Sequence, residues 1–169
     1  RGLGDVYKRQ ARLFSRTSVS CFLLCESNGK AVYLLYRKEQ LKEYLATGPV
    51  RELMERFGYE GMELGEILSL VGTRYREHME GCKTFPHEIG LLLGYPAEDV
   101  KGFIENQGRR SLYSGYWKVY SNLEECQRIF ASYDHAREKV IHLMAKGMTV
   151  RTIMEMHHLY GYCPAAGAF

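Results

Sequence analysis

Two apolar, β-prone runs, Ser18–Cys25 and Ala31–Tyr36, flank the pentapeptide Glu26-Ser27-Asn28-Gly29-Lys30. Asn-Gly between such runs is the strongest local signal for a two-residue hairpin, because Asn and Gly tolerate the positive φ of a type I′ turn. Both runs are nearly continuous in apolar residues, which predicts a hairpin covered on both faces by helices. Downstream, strand and helix do not alternate in the manner of a doubly wound sheet. The chain therefore has to build its core from helices laid over a small antiparallel sheet.

From Arg37 the period changes. Leu41, Tyr44 and Leu45 have helical spacing, and Thr47-Gly48-Pro49 ends one helix and opens the next. Val50, Leu53, Met54 and Phe57 then fall at i, i+3, i+4 and i+7 on one face. Met62–Glu80 predicts a third helix with Leu64, Ile67, Leu68, Val71 and Tyr75 on its stripe, closed by Gly81. Thr84–Leu93 predicts a short helix with Pro86 in its first turn and Gly94 beyond its end. Pro96 opens another, with Glu98 and Asp99 where the helix dipole favours acids, Val100, Phe103 and Ile104 on the buried face, and Gly108 at its close. Leu112–Tyr120 reads as a strand, Ser121-Asn122 caps a long helix over Leu123–Lys146, and Met148–Met156 holds one more.

The predicted fold class is thus α+β, a helix-rich single domain over residues 11–156. Its hairpin near 18–36 and a strand near 112–120 are expected to share one small antiparallel sheet covered by helices. Residues 157–169, with Gly161, Pro164 and Gly167, read as a loose tail. At the other end, one reading frame of the mosaic-end adaptor used in transposon-based library preparation encodes Asp5-Val6-Tyr7-Lys8-Arg9-Gln10. Residues 1–10 are therefore expected to be an adaptor scar that replaces the native start. They carry Arg1, Lys8 and Arg9 against Asp5, so setting aside those two net positive charges leaves +1 of the formal +3. A balance so close to neutral gives no support to a nucleic-acid partner. No apolar run reaches the roughly 18 residues of a membrane helix.

The candidate chemistry is sparse. Cys21 and Cys25 lie in one predicted strand with their side chains on the same face, and no second pair exists to complete a zinc site; buried reduced thiols in a cytosolic protein are the expectation. His87-Glu88 is the sharpest polar pair. At the first turn of a helix it would serve as a ligand or acid–base pair, whereas structurally Glu88 would complement the dipole and His87 a nearby carbonyl. His157-His158 and Cys163 fall in the expected tail. Arg109, Arg110, Tyr113, Tyr116, Trp117, Lys118 and Tyr120 mix cations with rings, which suits either base stacking or a half-buried strand packed beneath the long helix; the low charge favours packing. Gly147–Ile153 resembles the opening of a helix-turn-helix, without a recognition helix after it. Nucleotide-binding Gly patterns and a Gly-x-Ser-x-Gly elbow are absent.

Phe85-Pro86-His87-Glu88-Ile89-Gly90-Leu91-Leu92-Leu93-Gly94-Tyr95-Pro96, continued by Glu98-Asp99-Val100, Gly102-Phe103-Ile104 and Gly108, together with Gly115-Tyr116-Trp117-Lys118-Val119-Tyr120, resembles a bacterial family known as domain of unknown function 3793. The resemblance covers roughly Ser18–Ile153 and implies an origin chiefly among anaerobic Gram-positive bacteria. An upstream His-Cys-Ala-Pro-like stretch of the family is missing from this chain. Cysteines that some relatives carry near Tyr113–Tyr116 are missing too, which weakens a metal reading. The resemblance implies no activity and no cofactor. The expectation is a cytoplasmic, non-catalytic module that binds a small molecule or a protein through His87, Glu88, Tyr95, Tyr116, Trp117 and Lys118, without nucleic acid or membrane. The alternatives are an enzyme using His87 as acid/base and a single-strand binder using the Arg109–Tyr120 strand.

Overall fold

The computed structural model describes Phe14, residues 17–27 and residues 29–160, the last four by backbone alone. The adaptor-like residues 1–10, Asn28 of the turn, and residues 161–169 lie outside the described residues. The chain forms β1 (Val19–Ser27), β2 (Lys30–Arg37), α1 (Lys38–Leu45), α2 (Gly48–Arg56), α3 (Leu64–Met79), α4 (Ile89–Leu92), α5 (Ala97–Glu105), β3 (Tyr113–Ser114), β4 (Lys118–Val119), α6 (Leu123–Ala145) and α7 (Val150–Tyr160). No helix of the described residues is long and apolar enough to cross a membrane.

β1 and β2 form the expected antiparallel hairpin, with Ser27 opposite Lys30 and Gly29 at φ +72°. Between Leu23 and Cys25 the register slips by one residue. This β-bulge turns consecutive residues Leu24 and Cys25 into the core, 4% and 3% exposed. It also reverses the alternation, so Cys21, opposite Leu35, and Cys25, opposite Val32, lie on different faces rather than the same one. α3 covers one face of the hairpin. At Gly72 an added Cβ would stand 3.2 Å from the Leu24 carbonyl oxygen and 3.3 Å from the Phe22 ring, so a side chain there would hold the helix off the strand. The opposite face leaves Leu23 and Leu35 exposed, which corrects the expectation of a sheet covered on both sides. Apolar strands were read as doubly buried, but only the residues in phase with Phe22, Leu24, Leu34 and Tyr36 meet the helices.

The main core gathers Leu41 and Leu45 of α1, Val50, Leu53 and Met54 of α2, the α3 stripe, and Ile89, Leu91 and Leu92 of α4 around that face. A second, smaller cluster holds Trp117, Val119, Cys126 and Phe130, and Tyr95 packs against both clusters.

The segment near 112–120 corrects the single-sheet expectation. It folds back on itself as the short β3–β4 ladder, Tyr113 opposite Val119 and Ser114 opposite Lys118, separate from the first hairpin. Gly115 permits the bend, because a Cβ there would lie 2.3 Å from a Phe130 ring carbon. A strand that finds its hydrogen bonds a few residues away has no need of a distant sheet. Three further boundaries move. The Thr84–Leu93 helix shrinks to the single turn α4, because residues 84–88 run as an extended and turn segment around Pro86. On α5 the buried face takes Asp99 and Val100, while Ile104 is exposed. The backbone of α7 stays helical through Tyr160, four residues into the stretch expected to be tail.

Candidate functional site

His87 and Glu88, adjacent in sequence, serve different halves of the molecule. Glu88 is 3% exposed and accepts from the Tyr59 hydroxyl at 2.7 Å and from Arg74 Nη1 at 2.7 Å. Arg74 also donates to the Phe57 carbonyl at 2.9 Å and lies over the Tyr59 ring, 4.7 Å from its centroid. The carboxylate therefore ties α4 to α3 and to the end of α2, and a buried charge so paired is costly to leave alone. Burial, reinforced by Glu88, raises the Tyr59 phenol well above its ordinary range. Glu88 is thus a structural anchor and not a partner for His87, contrary to the pairing their sequence positions suggest.

His87 turns the other way. Its ring sits between Phe85 and Phe103, with centroids 5.7 and 5.4 Å away. Among the described residues no protein hydrogen bond reaches its ring nitrogens. Burial lowers its pKa from the ordinary value of 6.5, outweighing the opposing attraction of Glu88.

Sequence reasoning missed Asp99. This side chain, 2% exposed, was read as a dipole-complementing acid on the first turn of α5. Its Oδ2 accepts from Trp117 Nε1 at 2.7 Å and Cys126 Sγ at 3.4 Å. Its Oδ1 accepts from the Tyr120 and Ser121 amides at 2.8 and 2.9 Å and from Ser121 Oγ at 3.1 Å. A carboxylate offers about four lone-pair sites, so five donors saturate it. It fastens the β3–β4 hairpin and the start of α6 to α5, and Ser121 serves Asp99 where it was expected to cap the helix. Burial, with the Asp99 charge adding to it, pushes the Cys126 thiol up to about 12. The one legible hint was spacing, an acid on the first turn of a helix followed by an isolated Trp-x-Val strand; it does not separate a buried Asp from an exposed one.

Between the two motif regions lies a cleft of about 400 Å³. One wall is Phe85, His87, Ile89, Gly90 and Leu93, the floor Tyr95, Asp99, Val100 and Phe103, and the other wall Ser114 to Lys118. Tyr95 stacks on Trp117 with centroids 4.9 Å apart and planes 26° from parallel. Trp117 meets Phe130 edge-on at 4.4 Å, and Tyr113 and Tyr116 lean on the same ring at 6.1 and 5.6 Å. Three of the rings that suggested base stacking are therefore spent packing against α6. Tyr116 also donates to Asp134 Oδ1 at 2.9 Å. Lys118 Nζ donates to the Gly108 carbonyl at 2.6 Å. At Gly90 a Cβ would approach Val100 to 2.9 Å and Tyr95 to 3.2 Å, so the wall closes on the floor only without a side chain there.

Of the six residues singled out from sequence, His87, Tyr95, Tyr116, Trp117 and Lys118 converge on this cleft and Glu88 does not. No three His, Cys, Asp or Glu side chains among the described residues are grouped to hold a metal ion. The molecule is a helix-rich α+β domain with an aromatic cleft between a Pro-His-Glu turn and a Trp-bearing hairpin. The family model described as "Protein of unknown function (DUF3793)" matches residues 3–154, and the chain belongs to that family. The matched span takes in most of the adaptor-like stretch at 1–10. No curated protein and no solved structure matches the chain.

Proposed function

We propose that this chain is a bacterial, cytoplasmic, non-catalytic binding module that takes a small molecule in the cleft between the Phe85–Pro96 and Gly115–Tyr120 motifs. The observation that carries this reading is convergence: two motifs separated by some twenty residues in the chain face each other across an aromatic cavity of about 400 Å³. That volume lies in the range of about 300–1,000 Å³ typical of ligand pockets, which pair apolar walls with a few polar groups. His87 and Lys118 supply those groups. The non-catalytic reading rests on Glu88, whose carboxylate is committed to Arg74 and Tyr59 and so leaves His87 without an acid–base partner from its own segment. The cytoplasmic reading rests on the unbridged thiols of Cys25, Cys82 and Cys126.

The chain has a single tryptophan, and it lines the cleft. Titrating flavin mononucleotide, haem, nucleotides and divalent metals while following Trp117 emission and thermal midpoint tests the proposal directly. A saturable emission change, accompanied by a raised midpoint, is the expected result for a true ligand. Absence of any response across such a panel counts against the small-molecule reading.

A further inference from the structure

The geometry points to a planar aromatic anion as the ligand of this cleft, its ring stacked among the aromatic walls and its negative group on Lys118; this rests on the cleft being the binding site. Three observations carry the inference. First, aromatic side chains line the cleft on both sides, Phe85 and His87 on one wall with Phe103 beside them in the floor, and Tyr116 with the nearly buried Trp117 on the other. A flat ring gains dispersion and quadrupole contacts there that a puckered aliphatic ring does not.

Second, the acid in the cleft is already occupied. All five donors around Asp99 belong to the protein, so its carboxylate holds Trp117, Tyr120, Ser121 and Cys126 in place and has no lone pair left for an ammonium ligand. An aromatic cleft with a free acid would suit a cation; this one lacks that acid.

Third, the charge that does remain is positive and held in position. Lys118 gives one N–H to the Gly108 carbonyl at 2.6 Å, and an ammonium carries three donors, so two are free. His87, whose pKa burial lowers, offers one donor and one acceptor in its neutral form. Together they read a ring with a polar edge and one anionic substituent.

The test compares 2-naphthoate, 2-naphthylmethylammonium, 2-naphthalenemethanol and cyclohexanecarboxylate by isothermal titration calorimetry against the full chain. Naphthoate is expected to bind at least about tenfold more tightly than the ammonium and the cyclohexyl acid, as one charge-assisted hydrogen bond or one well-stacked ring supplies. Lys118→Met should erase the preference of the cleft for naphthoate over naphthalenemethanol while leaving the alcohol's own affinity in place. If the ammonium binds as tightly as naphthoate, or Lys118→Met leaves the preference intact, the charge assignment is overturned and the cleft stands. If cyclohexanecarboxylate matches naphthoate, the aromatic assignment is overturned. If no naphthyl compound binds up to millimolar concentration, the cleft reading itself fails, and the ligand class falls with it.

Discussion

Replacing Asp99 with alanine removes the acceptor for Trp117 Nε1, the amides of Tyr120 and Ser121, Ser121 Oγ and Cys126 Sγ, at distances from 2.7 to 3.4 Å. Trp117 is 7% exposed and Asp99 2%, so the indole N–H is left with little access to replacement water. A buried donor left unpaired costs about 1–3 kcal/mol. Two to three such donors at one site do not add fully, so the expected loss is about 4 kcal/mol. At about 2–4 °C per kcal/mol for a chain of this size, that is a fall of about 8–16 °C in thermal midpoint. Asp99→Asn is gentler. If its amide oxygen keeps the Tyr120 and Ser121 donors, its NH₂ faces the Trp117 N–H, and one orphaned donor costs about 1–3 kcal/mol. Urea denaturation followed by Trp117 emission measures both quantities in one experiment, since that indole is the chain's single tryptophan. The native emission maximum of both variants should move to longer wavelength as the indole loosens from its acceptor. A loss below about 1 kcal/mol for Asp99→Ala, with the maximum unmoved, would refute the view that this carboxylate clamps the hairpin.

Other perturbations follow from the same geometry. Gly115→Ala places a methyl 2.3 Å from the Phe130 ring and should cost about 1–3 kcal/mol by overpacking; adding Phe130→Leu should recover part of that loss in a denaturation series, and simple additivity would contradict the clash. Because burial lowers the pKa of His87 from 6.5, the folded chain takes up that proton less readily than the unfolded one. The stability tied to His87 is therefore complete above pH 6.5 and declines as pH falls below it; a midpoint-versus-pH series should be flatter in His87→Gln, and identical slopes would remove the histidine from the account. Cys126, its thiol held near 12 and its sulfur buried, should resist iodoacetamide while exposed Cys82 is alkylated. Peptide mapping by mass spectrometry that found both modified at similar rates would contradict this.

The first hairpin was legible because Asn28-Gly29 and the flanking β-prone residues agree at two levels, local turn chemistry and apolar pattern. The helices were legible through their 3.6-residue stripes and Gly stops. What stayed hidden was set by tertiary pairing. The bulge at Leu24 leaves no mark within Cys21–Cys25, where every residue is apolar, so Cys21 and Cys25 read as neighbours on one face. Thr84–Leu93 carries helically spaced apolar residues, yet Phe85 belongs to the cleft, leaving the helix one turn. Glu88 and Asp99 occupy positions where exposed acids are common, and only the placement of Arg74 and of Trp117, fourteen and eighteen residues away along the chain, makes them buried anchors. The cleft residues were recoverable as motifs; their division into cleft-lining and anchoring groups was not.

The position of Asp99 between two clusters has a consequence for how occupancy would be felt. One wall of the cleft belongs to the main core and the other to the small cluster on α6, and Asp99 and Tyr95 join them. Segments with few ties open below the global unfolding free energy; the β3–β4 hairpin and the first turns of α6 owe many of theirs to Asp99 and Tyr95. Anything that touches both walls favours the closed state by mass action. The amides around Cys126 and Phe130 would then gain hydrogen-exchange protection from a ligand that need not touch them. A ligand that bridged the two walls would thus be read out in the hairpin's resistance to opening as well as in the cleft itself.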